Sequence, residues 1–244
     1  MPLPLKDQSR FGFNWKIPFV SLHLNLRRAG MESIKALKWR YATKRFDPDR
    51  LLPEDKIHKL KQAFNLTATS YGLQPLKLIV VQNKELQEKL RAASFRQLQV
   101  SSASHVLVIC IEKEIGKHFI ENYFDHVRNI RNTPEDILKP HRLSLVEDFE
   151  KRPVEDIRTW ATHQAYLVLG ALLTVCAVEE IDSCPMEGFE PEKYDELLKL
   201  EELNLKSVLV LPVGYRATED FFAGFKKVRR PLEETVIEIG QGQE

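Results

Sequence analysis

The chain has 244 residues, 43% of them hydrophobic, and 36 basic residues against 35 acidic ones for a formal net charge of +1. That length admits one large domain or two small ones and supplies enough apolar material for a sizeable core. A charge balance so near neutrality gives no support for a nucleic-acid or membrane-surface partner.

Residues 1–30 carry Lys6, Arg10, Lys16, Arg27 and Arg28 against the single acid Asp7, without a sustained helical or strand period. We expect a loosely ordered extension there, with Met31 as an alternative start and residues 31–244 as one ligand-binding domain. No uninterrupted apolar run ending at a small-residue cleavage site marks a secretory signal. Met31 opens an amphipathic helix through Trp39, and Pro53-Glu54-Asp55 opens a second to about Asn65, with Ile57, Leu60 and Phe64 on one face. A polar loop from Thr67 to Pro75 leads into a strand at 76–81, whose Ile79-Val80-Val81 end is β-branched. A helix over 84–93 and a buried strand over 106–111 follow.

Residues 115–131 and 134–150 have helical patterns, the latter opened by Thr133-Pro134-Glu135-Asp136. Pro153 begins a long helix to about Glu180, apolar almost all round in its second half and therefore expected to be covered on every side, by its own chain or equally well by a subunit interface. Its apolar run, Ala165 to Val178, falls short of the ~20 residues of a membrane span. His163 and Gln164, just before that run, are expected to be satisfied core polar groups. A strand over 207–213 and a possible fourth over 234–239 complete the pattern. Helices alternating with short strands predict a layered sheet-and-helix protein.

The cysteines, Cys110, Cys176 and Cys184, are odd in number and form no Cys-x-x-Cys pair. They predict reduced thiols of an intracellular, cytoplasmic protein rather than a disulfide framework. Cys184 precedes a turn, yet nothing nearby in sequence supplies it with a base. His118, Glu121 and Asp125 stand at helical spacing, but no second His/carboxylate motif accompanies them, and we expect no metal site. No Gly-x-Ser-x-Gly or assembled Ser/His/Asp set favours a hydrolase.

Three distant motifs carry the chemistry: Arg40-Tyr41-Ala42-Thr43-Lys44, Pro185-Met186-Glu187-Gly188-Phe189, and Lys227-Val228-Arg229. Four cations and a Pro-x-x-Gly turn suit a ligand with a phosphate at one end and a polar, electron-accepting ring at the other. No glycine-rich phosphate loop is present to do that work, because Gly240 and Gly242 are the only closely spaced glycines and no helix follows them. Side chains must then neutralise the anion, which is the role of Arg and Lys. Taken singly, each cation pair is equally well read as solvated surface charge. Pro185 and Gly188 fix a turn whose backbone N–H groups can face a heteroaromatic ring, so the backbone of Glu187 is favoured over its carboxylate.

These motifs, together with Thr69-Ser70-Tyr71-Gly72-Leu73-Gln74-Pro75, Ala103-Ser104-His105-Val106 and Pro212-Val213-Gly214, resemble the FMN-dependent nitroreductase family over roughly Met31 to Ile239. The resemblance implies an α+β fold, a three-layer α/β/α sandwich around a mixed, mainly antiparallel sheet, in an interlocked homodimer. It implies tightly bound FMN, with NAD(P)H as electron donor and a small-molecule acceptor, either nitroaromatic, quinone or related.

By the same resemblance, Arg40, Lys227 and Arg229 hold the FMN phosphate beside Tyr41 and Thr43, and Lys44 sits by the N1/O2 edge of the ring. The turn Pro185, Met186, Glu187 and Gly188 faces N5 and O4. Thr69, Ser70 and Gly72 approach from the partner subunit, and Arg96, Gln97 and Gln99 touch the pyrimidine edge. Phe124, Arg128 and Asn132 are candidates for a substrate lid formed by about 118–150. Ala42 stands where many relatives have Ser, Arg96 where some have Asn, and Gln99 where some have Lys. No catalytic side chain is implied, since the flavin does the redox chemistry. A non-catalytic FMN binder or sensor, and a reductive dehalogenase or flavin-cleaving member of the superfamily, remain open alternatives.

Overall fold

The computed structural model describes residues 33–240, so the expected extension over 1–30 and the Met31 start lie outside the described residues. A short helix α1 (33–39) leads into α2 (Glu54–Leu66), capped by Pro53 with Glu54 and Asp55 in its first turn, where acids oppose the positive end of the helix dipole. Strand β1 (Leu76–Val81) is followed by α3 (Lys84–Ala92), whose Asn83 cap accepts the Leu86 amide at 2.8 Å. Then come α4 (Leu98–Ser102), β2 (His105–Glu112), α5 (Lys117–Arg131), α6 (Glu135–Lys151) and α7 (Val154–Val178). The C-terminal part holds β3 (Asp182–Ser183), α8 (Pro191–Leu197), β4 (Leu205–Gly214) and α9 (Leu232–Thr235).

The four strands form one sheet in the order β1-β2-β4-β3, every ladder antiparallel. Leu76 pairs with Ile111 and Val81 with Val106, while His105 pairs with Val213 across a bulge at Ile109/Cys110. A single parallel bridge, Ala42 to Ser183, adds the segment after α1 at the β3 edge.

Strand β2 is buried on both faces, and its alternation divides the core in two. Leu107, Ile109 and Ile111 join the cluster made with α2, α5, α6 and α7; Val106, Val108 and Cys110 join the cluster made with α3 and α8. Helices on both faces of one sheet make the expected three layers.

Two expectations, the strand over 234–239 and a core His163, need correction, and the cover expected for α7 is supplied by this chain only in part. Residues 234–239 form no strand: Pro231, Glu233 and Glu234 start the single turn α9, and beyond Val236 the chain has no ladder partner among the described residues. Helix α7 is covered by its own chain on one face only. It buries Ala161, Ala165, Val168, Leu172 and Cys176 against the sheet and α2, but leaves Tyr166 44%, Leu167 54% and Val178 49% exposed, because its own chain packs only one face. His163 is exposed rather than a core group, whereas Gln164 is buried and satisfied at both ends of its amide.

The 69–74 loop is shaped by backbone that most residues avoid. Tyr71, Gly72 and Gln74 all have positive φ, and a Cβ on Gly72 would lie 2.5 Å from the Tyr123 hydroxyl oxygen of α5. Gly72→Ala is therefore expected to cost about 1–3 kcal/mol, lowering Tm by about 2–4 °C for each kcal/mol in a chain of this size. An unchanged melting curve would show that the loop tolerates a side chain there.

Candidate functional site

The segment after α1 docks as an extra edge. The Thr43 amide donates to the Ser183 carbonyl at 3.2 Å, which lays Arg40 to Lys44 beside β3. Asp220 fixes the far side: its Oδ2 accepts the amides of Lys44 at 2.8 Å and Arg45 at 3.0 Å, and its Oδ1 accepts that of Phe222 at 3.0 Å. Burial pushes the Asp220 carboxyl up, but these amides, Arg45 and Lys44 foremost, outweigh it and bring its pKa below the ordinary carboxylate value. Lys44 itself is exposed, and its ammonium has no ion-pair partner among the described residues.

The two basic motifs converge. The Lys227 ammonium donates to the Arg40 carbonyl. Partial burial, then the charges of Arg40, Arg229 and Arg216, lower the Lys227 pKa; partial burial, then Arg229, lower that of Arg40. Cations held at this range repel one another, which an added anion would relieve. Around them the Arg40 Nε, the Tyr41 hydroxyl, the Thr43 Oγ1, the Ser183 Oγ and the Arg216 Nη2 are buried without a hydrogen-bond partner. Burial, with Asp220 second, pushes the Tyr41 phenol up to about 12. Such orphaned donors gathered beside three cations are what a bound phosphate would satisfy.

The Pro185–Gly188 turn continues from β3. Met186 pairs with Val210 (amide to carbonyl 2.8 Å), and Cys184 donates to Pro212 O at 3.1 Å. Beyond that pairing the N–H groups of Glu187 and Gly188 have no acceptor among the described residues, and both residues are exposed. The turn is clamped from two sides. Gln97 Nε2 donates to Gly188 O at 2.7 Å, and the Tyr166 hydroxyl on α7 donates to the Glu187 carboxylate at 2.7 Å. A Cβ at Gly188 would come within 3.3 Å of Gln97 Nε2.

Gln99 is buried and spends its amide nitrogen on Gln97 Oε1 at 3.0 Å, so both glutamines support the turn. Before them Phe95 and Arg96 are exposed and both left-handed, at φ 52° and 60°.

Other expected residues lie elsewhere on the chain. Thr69 accepts the Gln74 amide at 3.0 Å, and the Ser70 amide donates to Gln164 Oε1 at 2.8 Å, tying the 69–74 loop to α7. Phe124 is packed in the core beside Tyr123 and His141, so its ring does not line an open lid. Arg128 pairs with Asp125 and Asn132 is the left-handed cap of α5; both are exposed. His118 bonds Asn122. All three cysteines are free and buried, with burial pushing Cys110 and Cys176 up to about 12 and Cys184 upward.

The model of the nitroreductase family matches residues 37–215. The chain belongs to the nitroreductase family. A Staphylococcus epidermidis protein named as an NAD(P)H nitroreductase is 34% identical over 197 residues, covering 76% of this chain and 88% of its own. The oxygen-insensitive NAD(P)H nitroreductase of Salmonella typhimurium is 30% identical over 217 residues, covering 86% of this chain and 100% of its own. Among solved structures, a Bacillus subtilis nitroreductase superposes with a TM-score of 0.77 at 20% identity, over 86% of this chain and 100% of that one. An Exiguobacterium sibiricum nitroreductase solved in complex with FMN gives 0.72 at 20% identity, over 86% and 96%. The two structures share the nitroreductase fold with this chain.

Sequence reasoning missed Asp220, Ser183, Tyr166 and the buried ion pair of Arg216 with Asp182. Only Asp220 left a local signal, as an Asp two residues before Phe222 at a turn. Because its folded pKa is depressed, the stability Asp220 adds is fully present above 3.8, its ordinary value, and is lost as pH falls through the lower folded value. Asp220→Asn is expected to cost about 1–3 kcal/mol at pH 7 and to flatten the fall in stability below pH 3.8. Thermal melts across that range check it; a variant as acid-sensitive as the parent would refute the assignment.

Proposed function

We propose that this nitroreductase-family protein is a homodimeric, cytoplasmic FMN-dependent NAD(P)H oxidoreductase, with 31–244 as its flavin-binding domain. Bound FMN would supply the two-electron chemistry, in a ping-pong cycle between NAD(P)H and a nitroaromatic, quinone or related acceptor. The observation that carries this reading is the convergence of Arg40, Lys227 and Arg229 on unpartnered buried polar atoms, next to a turn with two free N–H groups. The names of the relatives, NAD(P)H nitroreductases, and a neighbour's complex with FMN point the same way.

The chain's own residues bind and orient. Arg40, Lys227 and Arg229, with Thr43, neutralise and hydrogen-bond the phosphate. Lys44, whose backbone is fixed by Asp220, places a positive charge at the N1/O2 edge, where negative charge gathers on reduction. The Glu187 and Gly188 N–H groups hold N5 and O4. Arg96 lies toward the pyrimidine edge, with Gln97 and Gln99 bracing the turn beside it. No side-chain acid–base pair is required, because hydride transfer is the cofactor's chemistry.

The second subunit is supported by the uncovered face of α7 and by the exposed Ile237 and Ile239 at the C-terminus. It would bring Thr69, Ser70 and Gly72 to the flavin of its neighbour.

Arg40→Ala combined with Arg229→Ala is expected to weaken FMN binding about a hundredfold or more, measured as flavin per chain after purification. Full flavin content in the double variant would refute the phosphate assignment. Lys44→Ala is expected to slow anaerobic flavin reduction about tenfold while FMN affinity changes less, and an unaltered reduction rate would count against the N1 role. Glu187→Gln keeps the oxygen that accepts from Tyr166 and is expected to leave reduction rate and FMN content nearly unchanged.

A further inference from the structure

We propose that Arg216 is a positioning residue for the phosphate-binding cations, holding the backbone on both sides of Arg40 and so aiming its guanidinium at the phosphate. The inference rests on the reading above, in which Arg40, Lys227 and Arg229 hold the FMN phosphate.

The guanidinium carbon of Arg216 lies 4.4 Å from the centroid of the Trp39 ring and 4.6 Å from that of Tyr41. These two residues flank Arg40 in sequence, so one planar cation covers the neighbours of the phosphate ligand on both sides. The plane is held in turn. Arg216 Nε donates to Asp182 Oδ1 at 2.7 Å, Nη2 lies 2.5 Å from the same oxygen, and the Arg216 amide donates to Asp182 Oδ2 at 2.8 Å. Asp182 is buried in β3, next to Ser183, whose carbonyl receives the Thr43 amide. The contacts close a ring from Arg216 through Asp182, Ser183 and Thr43 back to Tyr41.

Arg216 is also a cation at the phosphate site, since its charge is felt at Lys227. We assign it to positioning because its Nε is bonded to a buried carboxylate and two aromatic rings lie against its plane, while its buried Nη2 makes an ion-pair contact but no hydrogen bond. Its charge is spent on geometry. A lysine could keep the positive charge opposite Asp182 but would lose both the planar stacking and the fork.

A positioning role of this kind predicts a loss specific to the phosphate. Full-length protein stripped of flavin would be titrated with FMN and, separately, with riboflavin, following flavin fluorescence, for the parent, Arg216→Lys and Trp39→Leu. Arg216→Lys avoids leaving the Asp182 carboxylate unpaired in the core, and Trp39→Leu alters a partly exposed ring, so two independent changes test one contact set.

The parent is expected to prefer FMN, and Arg216→Lys to reduce the FMN-to-riboflavin preference about tenfold with riboflavin binding unchanged. Trp39→Leu is expected to reduce it in the same direction by less. A parental preference for FMN that survives intact in both variants would overturn the role of Arg216 while leaving the phosphate site standing. Equal weakening toward both flavins would also overturn it, by showing a general effect on folding. A parent with no preference for FMN would overturn the phosphate reading itself and this inference with it.

Discussion

The amide of Thr43 bonded to the carbonyl of Ser183 is the contact on which the rest of the site depends. It adds the segment after α1 as a parallel edge at β3, and β3 runs directly into the Pro185–Gly188 turn. One backbone pairing therefore sets the spacing between the cations at one end and the exposed N–H groups at the other. Asp220 holds the amides of Lys44 and Arg45 on that edge, and Arg216 holds Asp182 beside it. A sheet edge used this way is also shielded from pairing with other chains.

The site accepts an electrostatic cost. Arg40 and Lys227 are gathered where partial burial and the neighbouring charge of Arg229 both work against their charge. A glycine-rich loop would bind phosphate through backbone dipoles at a helix N-terminus; in the proposed site full charges would do it, and they are best tolerated with an anion between them. The same logic extends to Lys44, which has no ion-pair partner among the described residues and, in the proposed role, would meet a developing negative charge.

Much of the fold was legible because its signals are local. Pro53 and Pro153 with acids behind them marked helix starts, and the apolar runs at 106–111 and 207–213 marked strands buried on both faces. The two-residue β3, the five-residue α4 and the short α8 carry too little pattern to be read from sequence. Local pattern runs out where an outcome depends on partners. The apolar second half of α7 does not say which face its own chain covers, and the β-prone residues 236–239 form no strand without a neighbour to pair with. In the site, the cations and the turn could be named from motifs in register. The groups that hold them could not, because the Tyr166–Glu187 bond and the stacking of Arg216 on Trp39 and Tyr41 exist only once the chain is folded.

The central claim, an FMN oxidoreductase, is tested most directly by the visible spectrum of the purified protein before and after anaerobic NADH or NADPH, with the released flavin identified. The account predicts yellow protein carrying FMN that bleaches on addition of reductant. FMN that stays yellow with both donors would contradict the catalytic reading, and colourless protein that fails to take up added FMN would contradict the site itself.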